Sequence, residues 1–239
     1  MSDMTETVRK LLDKAQATDF PEEAEAFFAK AQELITLHGL SQDAIAAAGN
    51  VQSDEVTHRD FRFEAPYSAG KLLIAVQIAS VFRLKCVRTE SGANNVLCAF
   101  GTKSKLDDFE MLLTAVNMHA TGELLKARPP ARENARSFRA AFLQGYASTI
   151  GQVLGTADAA ARAAADESFT VEERRGVALV QLSEKERVDE AFTAKFPRTR
   201  TTRMSGARSH TGRAAGAAAG ERFTGHQNGI GGQRKALSR

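Results

Sequence analysis

Residues 68–101 read SAGKLLIAVQIASVFRLKCVRTESGANNVLCAFG, and within them the apolar period changes from that of a helix to that of a strand. Leu72, Leu73, Val76, Ile78, Ala79 and Phe82 recur at helical spacing over a band broad enough for a largely buried helix. The runs LKCVRT and NVLCAFG follow, separated by the turn-formers Ser91, Gly92, Asn94 and Asn95, the pattern of a β-hairpin. A turn centred on Gly92 places Cys86 opposite Cys98. It also puts Leu84, Cys86, Val96, Cys98 and Phe100 on one face, packed on the preceding helix. The helix and the hairpin together define an α+β core.

Downstream, Leu106, Phe109, Leu113, Val116 and Ala120 mark a helix from Ser104 to Lys126, with Asp107, Asp108 and Glu110 in its first turn. Pro129-Pro130 breaks the chain. A long helix resumes from Glu133 to about Ala165 through Phe138, Phe142, Tyr146, Ile150, Val153 and Leu154. The run Gly176-Val177-Ala178-Leu179-Val180-Gln181-Leu182 reads as a strand. Ser183 to Phe196 reads as a short helix capped by Ser183 with Glu186 at its third position.

Upstream, Val8, Leu11, Leu12 and Ala15 predict an amphipathic helix over 5–16. A second helix starts at Thr18-Asp19-Phe20-Pro21-Glu22-Glu23, buries Ala24, Phe27, Phe28, Ala31, Leu34 and Ile35, and ends with Gly39 as a left-handed cap. A short third helix, 41–48, follows. Residues 49–67 form a linker in which Phe61-Arg62-Phe63 alternates as an edge strand or a connector would. The expected class is α+β and predominantly α-helical. It comprises an N-terminal helical hairpin domain (1–50), an α+β core domain (66–196) built on a helix, β-hairpin, helix unit with a long following helix, and a basic low-complexity tail (197–239).

With 239 residues, 43% of them apolar, the chain has material for a substantial core. No stretch approaches a membrane span, no signal-peptide apolar region opens the sequence, and the two cysteines exclude a disulfide framework. A cytoplasmic address is expected. The absence of tryptophan and the presence of only two tyrosines leave few stacking platforms for exposed bases.

Charge is unevenly distributed along the chain. Residues 196–239 hold nine Lys or Arg against the single acid Glu221, a net +8, which leaves 23 basic and 28 acidic residues and −5 in the body within a total of +3. Arg198, Arg200, Arg203, Arg208, Arg213, Arg222, Arg234, Lys235 and Arg239 are spread through Gly, Ser, Thr and Ala. Guanidinium groups make paired hydrogen bonds to phosphate, and contact with a nucleic acid releases condensed counterions. Those nine residues are therefore the candidate nucleic-acid-binding set, for DNA or RNA. An acidic protein surface, or the chain's own acidic body, is the alternative target. Gly212, Gly216 and Gly220 recur every four residues, as for a helix with a small-residue groove or for a flexible chain.

Other motifs carry little chemistry. His58-Arg59-Asp60-Phe61 has the order of a kinase catalytic loop without its companion elements. The five histidines are scattered without ligand-pair spacing, and Asn228-Gly229-Ile230-Gly231-Gly232 lacks the glycine spacing of a nucleotide loop. Cys86 and Cys98 suit two small buried hydrophobes. The acidic groups Glu22, Glu23, Glu25 and Asp107, Asp108, Glu110 fit helix starts. No catalytic residue, metal ligand or cofactor is assigned.

The elements Arg9-Lys10-Leu11-Leu12-Asp13-Lys14-Ala15, Phe20-Pro21-Glu22-Glu23-Ala24-Glu25-Ala26, Ala29-Lys30-Ala31-Gln32-Glu33-Leu34 and His38-Gly39-Leu40 resemble, in order and spacing, the N-terminal helical domain of domain of unknown function 2786. Ile78-Ala79, Phe82, Cys86, Phe100-Gly101, Asp107, Ser137-Phe138, Phe142 and Gly145 resemble the uncharacterised domain that follows it in actinobacterial and bacteriophage proteins. The resemblance implies a phage or mobile-element context and carries no catalytic residues. The expected function is that of a non-enzymatic, nucleic-acid-associated binding protein. The alternative is a protein-interaction module, such as a phage-encoded inhibitor of a host factor.

Overall fold

The computed structural model describes residues 3–18, 20–48, 54–90, 94–201 and 206–224. Seven helices and three strands run in the order α1 (Asp3–Ala17), α2 (Pro21–Ala47), β1 (Val56–Phe63), α3 (Ser68–Val81), β2 (Lys85–Glu90), β3 (Asn95–Thr102), α4 (Lys103–Lys126), α5 (Ala135–Ser168), α6 (Val171–Lys195) and α7 (His210–Thr224). The chain is thus predominantly helical α+β.

The sheet is antiparallel with order β1-β3-β2. β3 is its centre, and all eight of its residues are buried, because helices cover both faces. Leu97 and Ala99 face the main core with Leu72, Ile74, Ile78, Leu106 and Phe109, while Cys98 and Phe100 face the other way onto Val188 and Phe192 of α6. This corrects the expected hairpin register. Cys86 lies opposite Ala99 and Cys98 opposite Val87, a slip of one residue that sends the two cysteines to opposite faces. The turn expected at Ser91-Gly92 lies outside the described residues.

Three further expectations are corrected. The stretch read as a linker supplies an edge strand, since Phe61 and Phe63 of β1 point into the core and Arg59 is held by Asp107 and Glu110 at the start of α4. Gly39 does not end a helix. α2 runs straight through it and absorbs the segment read as a third helix, because Leu40 is buried with Ala165 and Val177, packing worth more than the roughly 1 kcal/mol a helical glycine costs.

The run 176–182 is helical rather than extended. α6 buries Val177, Glu184, Val188 and Phe192 along one stripe and leaves Leu179 and Leu182 exposed. Its start is set by Thr170, not Ser183. The Thr170 hydroxyl accepts from the Glu173 N–H at 3.2 Å, and the Thr170 N–H donates to the Glu173 carboxylate at 2.8 Å, a complete capping box. Thr170→Ala is expected to cost about 1 kcal/mol in urea denaturation.

The α1–α2 hairpin shares the central core. Val8, Leu12, Phe28, Ala31 and Ile35 belong to the same apolar cluster as the residues under the sheet. Among the described residues no helix is long and apolar enough to cross a membrane.

Candidate functional site

The decisive element is α7, which lies inside the segment expected to be a low-complexity tail. Its glycine-rich face meets α5 with backbone on backbone. A Cβ added at Gly212 would sit 2.4 Å from the Phe138 carbonyl oxygen, one at Gly216 1.9 Å from that of Phe142, and one at Gly220 3.2 Å from that of Tyr146. From the α5 side, a Cβ at Gly145 would sit 2.1 Å from the Arg213 carbonyl oxygen. The four-residue glycine period matches a four-residue ladder of α5 carbonyls, as close packing of small residues requires. Both ladders ascend together, so α5 and α7 run parallel and begin at the same end of the molecule.

The far end of α7 is locked. Phe223 is buried, its ring centroid 3.9 Å from that of Phe28 in α2 and 5.2 Å from that of His119 in α4. Nδ1 of His119 is 2.9 Å from the Tyr146 hydroxyl oxygen, and burial lowers the His119 pKa. Arg222 is bonded to Glu123. Burial alone would push the Glu123 carboxyl up, but the hydrogen bonds from Arg222 and Lys126 bring it below its ordinary range. Arg222 therefore sits on the surface with its charge offset by Glu123, which sets it apart from the arginines of the candidate set that meet no carboxylate among the described residues.

The near end is open and positive. Arg208 and Arg213 are exposed there, with the Arg213 guanidinium 3.2 Å from Gln144 Oε1. The α4–α5 connection and the first turns of α5 add Arg128, Arg132, Arg136 and Arg139, all exposed, with Arg139 donating to the Tyr67 hydroxyl at 3.2 Å. The local acid is Glu133, whose carboxylate accepts from Ser209 and Thr211 and is held below its usual range by those bonds. Asn134 caps α5 by accepting from the N–H groups of Arg136 and Ser137, at 2.9 and 3.0 Å. Two helix N-termini at one end add the positive ends of two dipoles to these six guanidinium groups.

The sequence-predicted set is thus divided. Arg208 and Arg213 join the open end. Arg198 and Arg200 are exposed on the chain that leaves α6. Arg222 is consumed by Glu123. Arg203, Arg234, Lys235, Arg239 and the segment 228–232 lie outside the described residues. Sequence reasoning missed Arg132, Arg136 and Arg139. Their signal was a cluster of arginines just past Pro129-Pro130, with Glu133 as its only acid.

The remaining candidate groups have structural places. Both thiols are protonated at neutral pH. Burial, then Cys98, pushes Cys86 up to about 12, and burial, then Asp60, does the same for Cys98. His58 stacks on Phe100 with centroids 5.1 Å apart. Among the described residues no group of three or more His, Cys, Asp or Glu is placed to hold a metal ion.

By fold and site, this is an α+β protein with an open cationic end built from two parallel helix starts. Residues 3–42, covering α1 and most of α2, match the model of the family described as protein of unknown function (DUF2786). No curated protein and no solved structure matches the chain.

Proposed function

We propose that the chain is a non-enzymatic nucleic-acid-binding protein that takes a phosphate backbone across the end where α5 and α7 begin. The observation that carries this reading is the docking of α7. It brings Arg208 and Arg213 to the same end as Arg132, Arg136 and Arg139, none of them ion-paired among the described residues. Isolated surface arginines are solvated and bind little. A cluster flanking two helix N-termini attracts phosphate, because guanidinium groups and the positive ends of two helix dipoles act on the same oxygens.

The reading supplies positioning without base recognition, since phosphate contacts carry no sequence information. It fits a cytoplasmic protein of phage or mobile-element origin that coats or guides DNA or RNA. The fluorescence anisotropy of a labelled duplex, titrated with the full chain between 50 and 200 mM salt, tests it. Five phosphate contacts give a slope of about −4.5 in log affinity against log salt. A slope near zero, or no binding at the lowest salt, overturns it. Recovery of a protein partner from nuclease-treated extract, with no duplex binding, favours the acidic-protein-surface alternative.

A further inference from the structure

Away from the basic end, α2, α3, α4, α5 and α6 line a partly open cavity of about 450 Å³. One wall is apolar, formed by Ile35, Ile45, Val81, Phe82 and Val180. The other wall is charged, and most of its charge is already paired. Lys105 reaches both Glu184 oxygens at 2.6 and 2.7 Å, Arg162 bonds Asp158 at 2.8 Å, and Arg187 donates to the Asp54 carbonyl at 3.1 Å. Thr36 donates to Asp158 at 3.1 Å, Gln181 donates to Asp43 at 2.8 Å, and the Ser104 N–H donates to the Asp54 carboxylate at 2.9 Å.

Two acceptors are left over. Gln32 lines the cavity at 3% exposure, yet its Oε1 has no hydrogen-bond partner. Asp108 lines the same cavity and takes part in none of these bonds. Its position one residue after Asp107 turns it away from Arg59, which Asp107 and Glu110 hold on the other side of α4. A buried acceptor without a donor costs roughly 1–3 kcal/mol, so its persistence calls for an occupant. One water molecule needs about 30 Å³, and the cavity is more than ten times larger.

We infer that this cavity is a binding site for a small organic cation, an amine or amidine on an apolar body, whose N–H groups pair with Gln32 Oε1 and the Asp108 carboxylate while its body lies against the Ile35, Phe82 and Val180 wall. Charge selects the sign of the ligand, because the lining holds Asp43, Asp54, Asp108, Asp158 and Glu184 against Lys105, Arg162 and Arg187, and with Arg83 beside Asp43, Asp158 and Glu184 the balance is still one negative charge. Size selects a ligand of one or two rings. The inference stands apart from the nucleic-acid reading, which concerns the opposite charge and other residues.

Burial, then Asp107, pushes Asp108 up to about 6 from 3.8. Between those values the folded chain binds the proton that the unfolded chain has lost, so folding stability falls as pH rises through this window and the full penalty stands at pH 7. Asp108→Asn therefore folds at least as stably as the parent at neutral pH, and lost binding in it is not lost structure.

Benzamidine, with benzoate as the anion of matching shape, is the probe, read by calorimetry and thermal shift on the full chain at pH 7. Benzamidine is expected to saturate one site below about 10 mM and to raise Tm, and benzoate is not. Asp108→Asn weakens benzamidine roughly tenfold or more, and Gln32→Leu weakens it several-fold. No saturable benzamidine binding, equal binding of benzoate, or undiminished affinity in Asp108→Asn overturns the assignment.

Discussion

Gly216→Ala is expected to lower the unfolding free energy by about 2–3 kcal/mol, although alanine is the better helix former by about 1 kcal/mol. The two effects oppose each other, and distance decides between them. The new Cβ would stand 1.9 Å from the Phe142 carbonyl oxygen and 2.6 Å from its carbon, and no rotamer change relieves a clash with backbone. α7 must move off α5, which loosens Phe223 from Phe28 and His119 at its far end. Gly155→Ala is the control. It lies in α5 with nothing within 4 Å of the added carbon, so it is expected to stabilise by up to about 1 kcal/mol. Urea midpoints at constant slope read both. If Gly216→Ala proves as stabilising as Gly155→Ala, α7 is not packed on α5.

That contrast shows what a linear reading of the chain can hold. The GxxxGxxxG period of residues 212–220 was visible, as was the shortage of large apolar residues after Phe196. Whether the period made a groove or a loop depended on the carbonyl ladder of α5, some 75 residues earlier. Phe223 is too isolated in sequence for a core of its own. It completes one whose other members, Phe28, His119 and Tyr146, come from three separate helices.

Elsewhere the errors have local causes. In the hairpin, alternation identifies both strands, but the pairing lies one residue from the expected register, with an irregularity between Arg88 and Glu90, and alternation alone does not reveal this when both faces are covered by helices. For residues 176–182 a run rich in apolar residues imitates a strand, although Thr170 and Glu173 offer a capping box just before it. Ser183 and Glu186 offered a second, inside the helix, and spacing could not rank the two.

The candidate sites were less legible than the fold. Tail charge was plain, but its division was not. Arg213 and Arg222 both lie in α7 and both are exposed, and they differ because one meets Gln144 and the other Glu123. Gln32 and Asp108 are 76 positions apart, and neither carries a motif. Only the fold makes them walls of one pocket.

The arrangement at the α5–α7 end distinguishes a built surface from a loose cationic tail, and Arg136 makes the distinction. Arg136 belongs to the body, on the first turn of α5, and is exposed, so its replacement leaves stability within about 0.5 kcal/mol. If phosphates are held where the two helices begin, Arg136→Glu combined with Arg208→Glu weakens duplex binding about a hundredfold to a thousandfold near 100 mM salt, since each reversal removes an attraction and adds a repulsion. The corresponding alanine pair lowers the salt slope by about 1.8, or 0.9 for each lost contact. Deletion of 225–239 removes Arg234, Lys235 and Arg239 while keeping α7, and so weighs the chain end separately. Deletion from 197 onward cannot serve, because it strips α7 from the core. A duplex affinity that ignores Arg136 but collapses on removal of 225–239 assigns binding to the chain end and refutes the helix-start surface. The reverse result places the phosphate backbone across α5 and α7.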